Sequence, residues 1–207
     1  MDEKELKDIL EQHRLWIDSK GEEGKQADLK GADLEEIDLS GARLNKADLS
    51  NDNLTGANLE GAKLRKANLE GADLRGANLN GTNLRYANLK NANLSGVSFQ
   101  GADLNNAHLE EANLSGADLS KVNLSNATLS YANLEGANLS GASLGDSFLS
   151  QANLSGANLC GAYLRRADLE EANLTRADLR GADLEEADMD DAVLTGADLR
   201  GAVGLET

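Results

Sequence analysis

Leucine returns at every fifth residue through most of this chain, as in ANLEGANLSGASL, Ala132 to Leu144. An α-helix rotates about 100° per residue, so leucines at this spacing precess by about 140° and reach every side. A continuous strand alternates faces every two residues, so an odd spacing sends successive leucines to opposite faces. Neither regular element uses the pattern. Something must reset the chain direction once per five residues.

From Ala27 to Gly201 the sequence divides into 35 consecutive five-residue units with no insertion. The third residue of a unit is Leu in 33 of them, the exceptions being Phe99 and Met189. The first is Ala in 29, the exceptions being Ile37, Asp52, Thr82, Val97, Val122 and Ser147; the second is mostly Asn or Asp. First and third residues are two apart, so extended backbone points both the same way and the second the other way. Each unit is therefore expected to be a three-residue strand with Ala and Leu inward, followed by a turn at the fourth and fifth residues. Glycine suits the fifth position, because it adopts backbone angles that side chains disfavour.

Those glycines set the number of sides. There are 17, and sorted by every third unit they spread evenly. Sorted by every fourth unit they separate into 2 of 9, 7 of 9, 8 of 9 and 0 of 8. The repeat is 20 residues, four sides to a coil, labelled A to D from Ala27.

The A-[DN]-L-x-x repeat over residues 27–201 resembles the pentapeptide-repeat family. The resemblance implies a right-handed quadrilateral (square) β-helix, and the handedness comes from it alone. The expectation is an all-β solenoid of about nine coils over residues 25–207. At ~4.8 Å per stacked layer, it would be about 42 Å long. Residues 1–24 form a capping helix and linker. Leu6, Ile9, Leu10, His13, Trp16 and Ile17 there fall at helical spacing. Asp2 and Glu5 resemble a capping box without its Ser or Thr, and Gly21 suits a helix stop. The helix is expected to cover the open end of the first coil, with Trp16 on the exposed leucines, because a solenoid needs covered ends to stay soluble. Leu15 lies off the stripe and leaves a partner-docking helix as the alternative. After Leu199 the only large apolar residue is Leu205. Weak end-to-end homo-association is expected at that coil.

Composition narrows the function. A net charge of −16 and a pI near 4.4 argue against direct nucleic-acid binding. No run of 18 apolar residues suggests a membrane span, and MDEKELKDIL lacks the features of a secretory signal. A single cysteine, Cys160, argues against a disulfide framework and fits a reducing, cytoplasmic setting. Catalysis is not expected. His13 and His108 are the only histidines, no Cys/His set has metal-ligand spacing, and the serines have no adjacent histidine. The GxG sequences are coincidences of the repeat. The carboxylates near Asp190 form a flat ladder rather than a concave calcium loop. No cofactor or metal is expected.

Twelve of the 28 acids in residues 27–207 sit at second positions, where Asn serves equally well. Their short side chains are expected to hydrogen-bond nearby backbone. Sides B and C are bland. Side D carries Arg43, Lys46, Lys63, Arg65, Lys66, Arg85 and Tyr86, then Asp183, Glu185 and Glu186. Side A carries His108, Glu110, Glu111, Tyr131, Phe148, Asp168, Glu170, Glu171, Asp188, Asp190 and Asp191. Phe148 stands outward where Asn belongs and has no folding role. Glu170 and Glu171 should stack against Asp190 and Asp191, at a cost from like charges. These features mark the side-A residues, on an A–D edge, as a candidate partner-binding surface; a solvated surface free to drift is the bland alternative.

The resulting expectation is a non-catalytic, rigid interaction scaffold for an unknown protein partner. The family resemblance implies an alternative, an acidic mimic of B-form DNA that binds DNA gyrase. The charge and rod shape agree with it. The departures are Leu rather than Phe at the third position, an unbroken repeat, no C-terminal helical dimerisation module before AVGLET, and the basic cluster on side D.

Overall fold

The computed structural model describes residues 1–204. Every unit closes with the same turn. From Ala32 onward the amide of each first residue donates to the third-residue carbonyl three positions back, as Ala32 does to Leu29 at 2.8 Å. The fifth residue then takes a left-handed conformation. Every one from Gly31 to Gly201 has φ between 56° and 75°, among them Glu36, Lys46, Tyr86 and Arg166. This is the type II turn, which glycine fits best. Ordinary side chains adopt it here at a cost of roughly 1–2 kcal/mol each.

Stacking supplies the compensation. Leu29 N–H donates to Asp48 O (2.8 Å), Gly31 N–H to Ser50 O (2.9 Å), and Asp48 N–H to Ala27 O (2.9 Å). The same three bonds recur on each side, coil after coil. Parallel bridges pair each second residue with the one 20 positions on, from Asp28–Asp48 to Asp183–Val203. The coil is therefore four-sided, as the glycine spacing implied. Each side pairs through one bridging residue rather than a three-residue strand, because the turns at both corners take the neighbouring positions. The register also runs past residue 201. Val203 bridges Asp183, with Gly204 where a leucine would stand.

Every third-position residue from Leu29 to Leu184 is buried, Phe99 included. Three first positions place polar groups inside: Asp52, Thr82 and Ser147, each 1% exposed. Thr82 and Ser147 donate to the turn carbonyls of Leu79 (2.7 Å) and Leu144 (2.6 Å). The Asp52 Oδ1 accepts from the Ala32 amide at 2.9 Å, while Oδ2 is buried without a partner. Burial pushes this carboxyl's pKa up to about 7, and Asp48 and Asp28 add to the effect.

Helix α1 spans Glu3–Asp18, with the Asp2 carboxylate capping the Glu5 amide at 2.7 Å. Leu6 is buried, and Ile9 and Leu10 pack against the core, so these three close the open coil. Trp16 does not lie on the leucines as expected. It is half-buried at the rim with Ile17, stacked on His13 at 5.7 Å, with the Lys46 ammonium 5.5 Å from its ring centre. One helical turn nearer the N-terminus, His13 is fully buried. Its Nδ1 accepts the Ala27 amide at 2.9 Å and so takes the place of the turn carbonyl that every later first residue finds three positions back. Gly24 brings the returning chain against α1, where an added Cβ would strike the Gln12 carbonyl.

The last layer has no such cover among the described residues. Met189, Leu194 and Leu199 are half-buried. Leu205, the one large apolar residue the sequence offers after Leu199, lies outside the described residues.

Candidate interaction surface

The second positions form ladders along each side. On side B, Asn173 Nδ2 donates to Asn153 Oδ1 (3.1 Å), Asn153 to Asn133 (3.2 Å) and Asn133 to Asn113 (3.4 Å). Each oxygen also takes the amide two residues on, as Asn173 Oδ1 does from Thr175 at 3.1 Å. These side chains are structural, as expected of Asn and Asp beside turns.

Side A breaks its ladder after Asn88. His108 Nδ1 and Thr128 Oγ1 make a 3.3 Å hydrogen bond whose direction depends on the histidine tautomer. Phe148 follows, 49% exposed, with backbone bridges to Thr128 and Asp168. Glu110 pairs with Lys90 at 3.1 Å, and its Oε2 is buried without a partner. Burial opposes its ionisation, but its own backbone amide, Lys90 and Thr128 outweigh that and hold the pKa below the usual range.

Turn residues belong to the corner that follows their side. Ala112 N–H closes the Glu110–Glu111 turn onto Leu109 O at 3.1 Å, and Asn113 is already the side-B bridge. Glu110, Glu111, Tyr131, Glu170, Glu171, Asp190 and Asp191 therefore line the corner between A and B. Only His108, Phe148, Asp168 and Asp188 lie on face A itself. The side-D turn residues, including Arg65, Lys66, Arg85 and Tyr86, line the corner between D and A. The single A–D edge expected from sequence is thus two columns on opposite margins of face A. Tyr163, a side-D second-position residue 58% exposed, belongs with the outward aromatics Phe148 and Tyr131 and was missed. The signal that singled out Phe148, an aromatic where Asn belongs, applies to it equally.

Charge is paired in some places and segregated in others. In the ADLRG units the fourth-position arginine grips its own second-position aspartate: Arg75–Asp73 at 2.6 Å, Arg180–Asp178 at 2.7 Å and Arg200–Asp198 at 2.6 Å. The hydrogen-bonded Arg200 holds the Asp198 pKa down to about 2. Arg165 reaches Glu185 and Glu186, each at 2.8 Å, and Arg166 reaches Asp146 at 2.7 Å. By contrast, Asp168, Glu170, Glu171, Asp188, Asp190 and Asp191 make no ion pair among the described residues. They stack in register, with Glu171 N–H donating to Asp190 O at 2.8 Å. On the D–A corner Arg65, Lys66 and Arg85 surround the Tyr86 ring at 5.1, 5.8 and 5.8 Å from its centre. No group of three or more His, Cys, Asp or Glu among the described residues is arranged to hold a metal ion. No helix is long and apolar enough to cross a membrane.

None of the curated proteins compared with the chain matches it. Among solved structures it is similar to HetL, a pentapeptide repeat protein involved in heterocyst differentiation regulation in the cyanobacterium Nostoc sp. strain PCC 7120. The two are 40% identical over 86% of this chain and 85% of HetL, with a TM-score of 0.46. A trypsin-treated form of QnrB1, a plasmid-mediated fluoroquinolone resistance protein, is 22% identical over 77% of this chain and 80% of its own, with a TM-score of 0.51. Rfr23, from the cyanobacterium Cyanothece 51142, is 40% identical over 46% of this chain and 63% of its own, with a TM-score of 0.29. The pentapeptide repeats family model matches in eight copies, over residues 25–61, 53–91, 72–110, 107–146, 149–181 and 172–203. Repeat, bridges at 20 residues and family match agree: the chain belongs to the pentapeptide repeat family, whose fold is the right-handed quadrilateral β-helix.

Proposed function

We propose that the protein is a non-catalytic interaction scaffold, acting in the cytoplasm, that presents face A and its A–B corner to another protein. The supporting observation is Phe148. A second-position Asn would hydrogen-bond its turn and its ladder neighbours; Phe148 makes neither bond and spends its ring on solvent. Tyr131, 59% exposed, and the unpaired carboxylates at 168–171 and 188–191 lie around it on the same side. Aromatic anchors beside unneutralised charge suit a partner with a basic surface, drawn in most strongly at low salt. The test is an affinity pull-down with wild type, Phe148→Asn and a variant reversing Glu170, Glu171, Asp190 and Asp191 to lysine. Phe148→Asn restores the repeat, so melting should stay level or rise while partner capture falls. A partner captured equally by wild type and Phe148→Asn would remove face A from the reading.

The net charge of −16 and the fold likeness to QnrB1 support a second reading, an acidic DNA mimic acting on gyrase. The unpaired cations on side D count against it. Inhibition of supercoiling at micromolar protein, abolished by the four charge reversals, would establish the mimic. No effect of wild type on supercoiling would discard it and leave the scaffold.

A further inference from the structure

We propose that a second copy of this chain docks its side-A carboxylates on the basic strip of side D. The inference rests on reading face A as an interaction surface and names the partner. It starts from a pairing rule that the solenoid obeys elsewhere. A fourth-position arginine forks onto the aspartate two residues before it, as in Arg75–Asp73, Arg180–Asp178 and Arg200–Asp198. For Arg65 that second position holds Lys63, so the local partner is replaced by a like charge. Lys63 in turn bridges Arg43, stacking cation on cation, and Lys46 N–H donates to Arg65 O, bringing the next turn's cations alongside. Arg43 and Arg85 find relief in Asp18 and Asp103. Lys46, Lys63, Arg65 and Lys66 make no ion pair among the described residues.

The side-A strip breaks the same rule with the opposite sign. Glu170 and Asp190 follow Asp168 and Asp188, where an arginine would pair. One molecule thus carries two columns of charge without ion pairs among the described residues, four cations, three of them against the Trp16 and Tyr86 rings, and six carboxylates, on different sides. Like charges directly opposite are destabilising in a ladder, and contact between copies cancels both costs together. Tyr86 and Phe148, exposed beside their respective strips, give each contact an apolar element.

The two strips are different patches, so a head-to-tail contact between them is heterologous and adds copies in a ring or an open series. Each strip covers two or three coils, about 10–15 Å at ~4.8 Å per coil. That is far below the area of a stable dimer, so the association is weak and salt-sensitive. The basic strip also accounts for cations in a protein of net charge −16 that no partner with a purely basic surface would use.

Sedimentation velocity of the purified chain at ~0.01 M and ~1 M salt tests the proposal, since the screening length falls about tenfold between them. Wild type should gain weight-average mass with concentration at low salt and lose the gain at high salt. Lys63→Glu/Arg65→Glu/Lys66→Glu and Glu170→Lys/Glu171→Lys/Asp190→Lys/Asp191→Lys should each be monomeric alone. An equimolar mixture should associate again, because each variant supplies the charge the other lacks. Lysine and glutamate already occupy left-handed fifth positions here, so both variants should keep the fold, as β circular dichroism would verify. A wild type that stays monomeric at low salt overturns the proposal, as does association untouched by both variants or a mixture that stays monomeric. A monomeric wild type with a partner whose capture depends on Phe148 would sink self-association and leave the scaffold reading standing.

Discussion

The two ends of the rod are built from the same layer and meet different fates. At the N-terminal end Leu29, Leu34, Leu39 and Leu44 are at most 3% exposed. At the other end Met189, Leu194 and Leu199, in equivalent positions, are half-buried. The difference is α1. Leu6, Ile9 and Leu10 stand in for the side chains of a preceding coil, and His13 Nδ1 stands in for a backbone acceptor. In a quasi-one-dimensional stack each layer draws its stability from its neighbours. A helix serves as a neighbour if it supplies both apolar volume and hydrogen bonds.

Removing residues 1–20 should break the contrast most severely. It bares four leucines and a row of strand amides, which invites edge pairing. The truncated chain should aggregate while keeping its β circular dichroism. A truncation that stays monomeric and equally soluble would show that α1 is not a cap.

The next largest effect concerns Asp52, one coil inside the capped end; on the same side near the open end stands Ala192. With a folded pKa of about 7 against about 3.9 unfolded, the unfolded chain releases its proton first. Stability should therefore fall as pH rises from about 4 to about 7 and level off above. At 1.36 kcal/mol per unit the ceiling is about 4 kcal/mol. Asp52→Ala restores the repeat, and the Ala32 amide keeps its turn bond to Leu29. The variant should be more stable above pH 7 and lose that slope, as denaturant titrations across pH would measure.

His13 gives the opposite sign. Burial holds its pKa below the usual value, and a protonated Nδ1 would face the Ala27 amide with a second donor. Below about pH 6.5 the unfolded histidine binds a proton first, so the cap should weaken as pH falls through the folded pKa. His13→Ala should cost about 1–3 kcal/mol through the orphaned amide. Trp16, the only tryptophan, lies 5.7 Å away and should report the change by fluorescence. Amide exchange at Ala27 should rise while exchange in the last coils stays constant.

The smallest effect lies midway between the ends, where neither end reaches. Lys121 has φ of 58° on side C, where the other eight fifth positions are glycine. Lys121→Gly should stabilise by about 0.5–1 kcal/mol, the left-handed strain removed less the entropy glycine adds. A loss of stability would mean that the Lys121 side chain contributes more than its backbone costs.

Much of the fold was legible because it is local and repeated. Alternating Ala, Asn and Leu turns side chains in and out within three residues, and the next layer is always another copy of the same unit. The glycine spacing revealed four sides correctly, yet the structure gives it a different weight. All fifth positions share one left-handed conformation, and a Cβ at Gly41, Gly61 or Gly136 would meet nothing within 4 Å. Glycine on sides B and C therefore reflects a bare surface as much as a backbone requirement.

The surface was legible in residue type but not in place. Sequence singled out Phe148 and the stacked acids, because they depart from the repeat. It put them on one edge with the side-D cations, whereas each turn belongs to the corner after its side, so face A separates the two columns. By itself the sequence determined the square coil, the inward leucines and the presence of a capping helix, all set by neighbours within five residues or one period. Only the tertiary structure decided that His13 rather than Trp16 completes the cap, that Asp52 is buried with an unpartnered oxygen, and which charges go unpaired. Each of those depends on what stands across a coil boundary or beneath a docked helix, where packing and desolvation rather than local pattern choose the partner.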